Sequence, residues 1–326
     1  MLSRTAEDLF WMARYVERAD NVGRLVEAGR RFESLSNPQS GLGNEWTAIL
    51  IAAGCKDTFG DGLETASAQA AVLHLVLDEN NPSSIRSSFA NARGNARAQR
   101  VAVTAGLWEA LNRAWRETRV LKERDISEGN LGAFIERTRQ HASLFRGEVE
   151  GTLLRNPGYW FVALGQLIER VDATARLLDV KYHVLLPDAK MPEASRDQLQ
   201  WNHLLRAAGV KSNYRWVYNE PVNYERVADL LILNAQCPRS LRFCYDRIVR
   251  RLQTLSQDLY MDVPSLNQAV AIRDDLHDES ATNIIAAGLH EYLTDIILKT
   301  NQLALSIAAD FGFGQMPVGA NTVTEL

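Results

Sequence analysis

Residues 17–25 read Glu-Arg-Ala-Asp-Asn-Val-Gly-Arg-Leu, and residues 169–177, which lie 152 positions later, read Glu-Arg-Val-Asp-Ala-Thr-Ala-Arg-Leu. Two more blocks recur in the same order. Trp46, Leu50, Ala52, Ala53, Gly54 and Lys56 return as Trp201, Leu205, Ala207, Ala208, Gly209 and Lys211, and Leu77, Pro82, Ser84 and Arg86 return as Leu233, Pro238, Ser240 and Arg242. The offset grows only from 152 to 155 and 156, in steps the size of loop insertions. Order and spacing together predict a tandem duplication.

Apolar residues around the first block recur at helical spacing. Leu9, Met12, Val16, Ala19, Gly23 and Val26 share one side of a helix that we predict from Thr5, which forms a capping-box pattern with Asp8, to about Arg31. Its second copy is predicted over 157–184. Further helices are predicted at roughly 44–54, 64–77, 83–120, 130–154, 194–208, 223–234, 239–257, 264–275 and 280–310. Because alternating strand patterns do not occur, the sequence predicts an all-α fold.

The repeat also predicts the domain organisation. The first α-helical repeat would span 1–154 and the second 155–310, and residues 311–326 read as an irregular C-terminal tail. We predict an internally duplicated multi-helix bundle whose two homologous halves pack through their long charged helices as one compact body. Pro82 and Pro238 are each predicted to stand in the first turn of a helix, where a missing N–H costs nothing.

Composition excludes several classes of protein. Of the 326 residues 46% are apolar and 23% charged, and the net charge is −4, which is typical of a globular protein without a basic nucleic-acid-binding domain. The three cysteines form no CxxC pair, and neither a signal peptide nor an apolar stretch of about 18 residues occurs. We therefore expect a cytoplasmic protein that binds neither nucleic acid nor membrane.

Motifs for metals, nucleotides and nucleophiles do not occur. The six histidines form no HxxxH, HExxH or Glu-x-x-His pair, and GxSxG, GxxxxGK[ST] and GxGxxG are missing. We expect no metal and no cofactor in this chain, and the sequence does not contain a self-sufficient active site.

Charged residues form one stripe on each long helix. The first stripe is Arg14, Glu17, Asp20, Arg24 and Glu27, and the second is Gln166, Glu169, Asp172, Arg176 and Asp179. Each stripe could be a solvated face with weak ion pairs. Alternatively, the two helices face each other and bury an Arg–carboxylate network. Such a network would be either purely architectural or the lining of a cleft for an anionic or zwitterionic group.

Arginines also lie near the starts of two helices. Arg86 and Arg242 follow Pro82 and Pro238, and Arg239 adds a second cation in the later copy. Free N–H groups at a helix start favour an anion, so these arginines are candidates for binding a phosphate or carboxylate. The alternative is that each pairs with a neighbouring helix.

Five segments resemble the bacterial alpha-E domain family. They are residues 1–21, Asn-Pro-Ser-Ser-Ile-Arg at 81–86, Trp-Glu-Ala-Leu-Asn at 108–112, Asn-Pro-Gly-Tyr-Trp at 156–160 followed by Gly-Gln-Leu-Ile-Glu-Arg at 165–170, and Cys-Pro-Arg-Ser-Leu-Arg at 237–242. The segments are spread over nearly the whole chain. One departure is Gly106, where the family pattern has an acidic residue.

The resemblance implies an all-helical protein encoded beside a circularly permuted ATP-grasp protein and often beside a transglutaminase-like cysteine peptidase. Such gene sets resemble systems that ligate amides or form or modify peptides. ATP and Mg²⁺ would then be bound by the ATP-grasp partner, which would activate a carboxylate as an acyl phosphate.

Three functional hypotheses follow. The leading one is an accessory or substrate-handling subunit of an ATP-grasp peptide or amide ligase system, in which both stripes line a polar cleft. The second is an enzyme in its own right that acts on the activated or ligated intermediate, with Glu17 or Glu169 as general base, which requires a buried Glu of raised pKa. In that enzyme an anionic group would be held by Arg24, Arg176, Arg86 or Arg242. The third is a structural scaffold. The candidate substrate- or anion-binding residues are Arg14, Arg18, Asp20, Arg24, Arg86, Arg170, Asp172, Arg176, Arg239 and Arg242.

Overall fold

The computed structural model describes residues 3–34, 45–183 and 193–314, and all the regular elements in these ranges are helical. The first part contains α1 (Ser3–Glu33), α2 (Glu45–Ala52), α3 (Lys56–Phe59), α4 (Ala68–Val76), α5 (Ile85–Ala98), α6 (Ala105–Arg119) and α7 (Glu128–Thr152). The second contains α8 (Pro157–His183), α9 (Glu193–Ala208), α10 (Lys211–Tyr218), α11 (Tyr224–Ala228), α12 (Leu241–Leu259), α13 (Ser265–Asp278), α14 (Ala281–Ala287) and α15 (Leu289–Asp310). The predicted all-α fold is confirmed.

Helices α1 and α8 lie side by side at the centre of the molecule. Helix α1 is covered by α5, α7 and α9, and α8 is covered by the corresponding α12, α15 and α2. Each central helix therefore packs against a helix from the other half. This arrangement is the one that a tandem duplication predicts, and the duplication itself stays a prediction.

Gly165 allows the two central helices to approach closely. A Cβ atom at this position would lie 2.2 Å from the backbone oxygen of Phe10 and 3.3 Å from the Cβ of Ala13. Only glycine avoids this clash with backbone. Buried apolar residues from both halves join around the central pair in one continuous core, which includes Met12 of α1 and Tyr245 of α12. The predicted apolar side of α1 is buried throughout.

Three predicted helix boundaries are wrong. The stretch 83–120 is two helices, because Thr104 accepts a hydrogen bond from the N–H of Leu107 and so starts α6 as its N-cap. The stretch 280–310 is interrupted at Gly288, whose φ is 113°. Helix α1 already begins at Ser3, so Thr5 does not cap it, and the Thr5 hydroxyl instead donates to Gln99 Oε1 at 2.9 Å.

The two prolines lie just before their helices rather than inside the first turn. Ser84 donates its N–H to the carbonyl of Asn81 at 3.0 Å, and Ser240 donates to that of Cys237 at 2.9 Å, so each proline occupies the second position of a β-turn. Ser84 and Ser240 are the N-caps of α5 and α12. Helix α10 lies where no helix was predicted.

The described part of the tail, residues 311–314, packs onto the central helices. The ring of Phe311 lies 4.8 Å from that of Phe161, and Phe313 lies 5.6 Å from Phe10. Residues 315–326 of the predicted tail lie outside the described residues. None of the described helices combines the length and the apolar character needed to cross a membrane.

Candidate functional site

The two Glu-Arg pairs bind each other across the contact between α1 and α8. Arg170 donates to both carboxylate oxygens of Glu17, at 2.9 and 3.1 Å. Arg18 donates to both oxygens of Glu169, at 2.5 and 3.1 Å. Glu17 is 1% exposed and Glu169 is 4% exposed. The charged stripes therefore face each other in a buried network, as one of the two sequence readings predicted.

Further arginines complete the binding of the two glutamates. Arg14 donates through Nε to Glu169 at 2.8 Å. Arg146, which lies on α7, donates to Glu17 Oε2 at 3.0 Å. Each glutamate is thus bound by more than one guanidinium group. The additional donor to Glu169 lies on α1, whereas the additional donor to Glu17 lies on α7.

The two aspartates are surrounded differently. Asp20 is fully buried, and its Oδ2 atom accepts from Arg24 at 3.2 Å, Arg239 at 2.9 Å and Arg146 at 3.4 Å. Asp172 accepts from Arg176 at 2.7 Å. In the part of the chain that the structure describes, Oδ1 of each aspartate is buried without a hydrogen-bond partner.

The Ala-Ala-Gly blocks of the repeat bind the arginines of the opposite half. Arg24 donates to the carbonyl of Ala207 at 2.9 Å, and Arg176 donates to that of Ala52 at 3.5 Å. Gly209, with φ of 74°, follows α9 where a Cβ would lie 3.0 Å from the Arg24 Nη1 atom. Glycine is suited here because it adopts positive φ freely and leaves room for the guanidinium group.

Burial would raise the pKa of both glutamates, but the arginines outweigh it. Arg170, Arg146 and Arg239 hold the pKa of Glu17 far below its ordinary value. Arg18 and Arg14 lower that of Glu169 to about 2. Both carboxylates are therefore ionised at neutral pH. A general base of raised pKa, which the enzyme hypothesis requires, is not formed by either glutamate in this arrangement.

Positive charge is crowded at the Glu17 end of the network. The pKa of Arg239 is lowered to about 10, first by burial and then by the charge of Arg24. Burial also lowers the pKa of Arg24, to which Arg139 contributes, although Asp20 opposes it. Like-charge repulsion at buried guanidinium groups means that the nearby carboxylates do not neutralise them fully.

Arg86 has its contacts elsewhere. It donates to the carbonyl of Leu121 at 2.5 Å and lies 3.5 Å from the exposed Glu79, so it pairs with neighbouring segments. The Nε atom of Arg242 is buried without a hydrogen-bond partner among the described residues. Their predicted anion binding stays a prediction. Arg239, in contrast, is part of the network.

Two cavities near the central helices are not lined by the four carboxylates of the network. One, of about 1010 Å³, lies near the end of α1 beside Arg30, Trp46 and Leu131. The other, of about 310 Å³, lies beside Trp201 and Leu293. Within the described residues, no three His, Cys, Asp or Glu side chains are grouped so that they could hold a metal ion.

Comparison with known proteins identifies the family to which these Glu-Arg pairs belong. A family described as "a predicted alpha-helical domain with a conserved ER motif" matches residues 1–311. The chain belongs to the Alpha-E family. Glu17-Arg18 and Glu169-Arg170 are the two Glu-Arg sequences that meet at the centre of this Alpha-E protein.

Curated relatives come from mycobacteria. An uncharacterized protein of Mycobacterium bovis and another of Mycobacterium tuberculosis are each 25% identical to the chain over 336 residues. The match covers 93% of this Alpha-E chain and 37% of each relative, so the chain spans little more than a third of their length. No solved structure matches the chain.

Sequence reasoning missed Arg139 and Arg146. Both lie on α7 outside the repeated blocks, and the repeat gave no reason to select them. Their spacing of seven places them on one helix face, which is a signal but a common one.

At Gly106, where the family pattern is acidic, a Cβ would lie 2.1 Å from Glu148 Oε2, so an acidic side chain there would face another carboxylate.

Proposed function

We propose that this Alpha-E chain is an accessory, substrate-handling subunit of an ATP-grasp-type peptide or amide ligase system in the bacterial cytoplasm. The observation that carries the proposal is the excess of guanidinium groups over carboxylates at the contact between the halves. A buried cationic excess is suited to holding an anionic substrate group. The chain would position that group, while ATP and Mg²⁺ would be bound by the partner.

The partner is proposed from the resemblance of the sequence to the family. It is a circularly permuted ATP-grasp protein, accompanied by a transglutaminase-like peptidase. Activation of a carboxylate as an acyl phosphate requires a nucleotide site, and this sequence has no phosphate-binding loop. A subunit that holds an anionic substrate without binding nucleotide would complement such an enzyme.

The experiment uses the purified Alpha-E chain and the ATP-grasp protein encoded beside it. We expect co-elution in size-exclusion chromatography and a change in ADP formation when the two are mixed. The proposal fails if the proteins neither co-elute nor alter each other's ATP turnover.

A structural scaffold is the second candidate, and a specific observation favours it. Glu17, Asp20, Glu169 and Asp172 are all paired with arginines inside the molecule. If the chain is only a scaffold, Arg146→Gln should leave the KM of the ligase for its anionic substrate unchanged in the assembled complex. If the chain handles substrate, Arg146→Gln should raise that KM while co-elution stays intact. Arg137→Gln, which changes an exposed arginine of the same helix, should have no effect.

A further inference from the structure

The two ends of the central network carry different charge. Glu17 and Asp20 are contacted by Arg24, Arg146, Arg170 and Arg239, and Arg139 joins them because it shares the carbonyl of Ala207 with Arg24. Glu169 and Asp172 are contacted by Arg14, Arg18 and Arg176. Arg139 also lies 3.9 Å from the carboxylate of Glu136. The first end therefore has five guanidinium groups and three carboxylates, an excess of two, and the second end has three and two, an excess of one.

The excess arises from residues that have no repeated partner. Arg239 stands where the first copy has Ser83. Helix α7 places Arg139 and Arg146 against α1, whereas the basic residue Lys299 of α15 is paired with Asp275 and Asp295. Two of these arginines lie on α7, so the packing of α7 against α1 adds positive charge to the Glu17 end only.

Few acceptors hold these arginines. Arg24, Arg146 and Arg239 all donate to a single atom, Oδ2 of Asp20. Arg24 and Arg139 share one carbonyl oxygen, at 2.9 and 3.4 Å. Arg146 also donates to Glu17 at 3.0 Å and to Ser143 at 3.2 Å, and Arg239 donates to Asn21 at 3.4 Å. A guanidinium group has five N–H donors, so the four groups still have more donors than these acceptors bind. Among the described residues, the buried Nε atom of Arg139 has no acceptor.

The arginine side chains are also the part of the cluster that solvent reaches. The side chains of Arg139 and Arg146 are each 25% exposed, whereas those of Glu17 and Asp20 are 1% and 0% exposed. An approaching solute therefore meets cations, with the carboxylates beneath them. Such a surface attracts an oxyanion and can bind it through more than one charged hydrogen bond.

We infer that Arg24, Arg139, Arg146 and Arg239 form a binding site for an oxyanion group with two negative charges, at the Glu17 end of the molecule only. A doubly charged group matches an excess of two cations better than a single carboxylate does. This inference rests on the proposed function, to which it adds the class of substrate group and the half of the chain that binds it. A phosphate group and a pair of carboxylates share this chemistry.

The test measures binding of inorganic phosphate by titration calorimetry, with glutarate as the dicarboxylate arm and sodium chloride of equal ionic strength as reference. We expect one site per chain. Arg139→Gln should weaken binding about tenfold, as the loss of one charged hydrogen bond does. This variant should fold, because the Arg139 side chain has only a 3.9 Å contact with the exposed Glu136 and the shared carbonyl.

Two matched variants control for charge and for position. Arg137→Gln removes an exposed cation from the same helix, and Arg250→Gln removes an exposed cation from α12 in the other half. Both should bind as the wild type does. The inference is overturned if neither anion binds more tightly than chloride, or if Arg139→Gln binds unchanged. Tighter binding of phosphate than of glutarate assigns the ligand as a phosphate group, and the reverse assigns a dicarboxylate.

Failure here and failure of the proposed function are distinguishable. Co-elution with the ATP-grasp protein does not depend on phosphate binding by the isolated chain. Co-elution without anion binding would reject the site and leave the subunit role standing. Anion binding without co-elution or altered ATP turnover would reject the subunit role and leave the site standing.

Discussion

Arg170 of α8 donates to both carboxylate oxygens of Glu17 of α1, at 2.9 and 3.1 Å, and Arg18 makes the same contact with Glu169 in the opposite direction. Each central helix contributes an adjacent acid and base that bind the base and acid of the other. The two short Glu-Arg sequences therefore join the two central helices to each other. Two bidentate pairs fix the alignment of α1 and α8 more strictly than apolar packing alone.

Removal of the Glu17 charge should destabilise the fold strongly. Glu17→Gln leaves the largely buried Arg170 without its counter-ion and removes one of the two carboxylates that contact Arg146 and Arg239, which costs about 3–5 kcal/mol. Urea unfolding measures the change. The exposed pair Arg155 and Glu150 is the control, since Glu150→Gln should cost less than about 1 kcal/mol. Equal losses for the two variants would contradict a structural role for the buried pair.

Stability should fall in acid because Glu169 must be protonated. Its pKa is lowered in the folded protein from 4.5 to about 2, so the stabilisation is fully present above pH 4.5 and is lost as the pH falls toward 2. Urea unfolding at pH 7, 5, 4 and 3 should show this decrease. Glu169→Gln should be less stable at pH 7 and should have a shallower slope below pH 5. A slope equal to that of the wild type would show that Glu169 does not contribute to it.

The central contact could be predicted from sequence because the repeat preserved charge on one stripe of each helix. Two retained stripes are hard to explain as solvated faces, and the structure buries most of the first stripe and partly buries the second. Which residues would pair could not be predicted. The pairing of Arg18 with Glu169 depends on the crossing angle and register of α1 and α8. Gly165 sets both through its close approach to the backbone of Phe10.

Some features could not be predicted because they arise from tertiary packing, and some local signals at helix starts were missed. Arg146 reaches Glu17 across 129 positions of the chain, so no local pattern connects them. The N-cap at Thr104 was missed because 83–120 was read as one helix, although Val101, Val103 and Thr104 have low helix propensity. The two prolines were predicted to lie in the first turn of their helices, but they precede the N-caps Ser84 and Ser240. Serine is a stronger N-cap signal than a preceding proline.

Substitution of Gly165 should test how closely the central helices approach. Gly165→Ala places a methyl group 2.2 Å from the Phe10 oxygen, so α1 and α8 must separate, at a cost of about 1–3 kcal/mol or more. Gly94→Ala, at an exposed position of α5, is the matched control, because nothing lies within 4 Å of its added Cβ. It should stabilise the protein by roughly 0.5–1 kcal/mol. A neutral Gly165→Ala would mean that the contact is looser than the structure has it.

Cys244 offers a probe of whether the network opens in solution. Burial raises the pKa of its thiol to about 12, although Arg170 and Arg239 oppose the shift, so almost no thiolate forms at neutral pH. Alkylation by iodoacetamide at pH 7.5 should therefore be very slow in the folded protein and fast in urea, with tryptic mass spectrometry to identify the labelled cysteine.

Glu17→Gln should accelerate labelling at Cys244 under native conditions, because loss of the shared counter-ion favours separation of α8 and α12 from α1. Cys55, which is buried away from Glu17 and also has a raised pKa, is the internal control and should change less. Rapid labelling of Cys244 in the native wild-type protein would contradict the close packing around the Glu-Arg pairs.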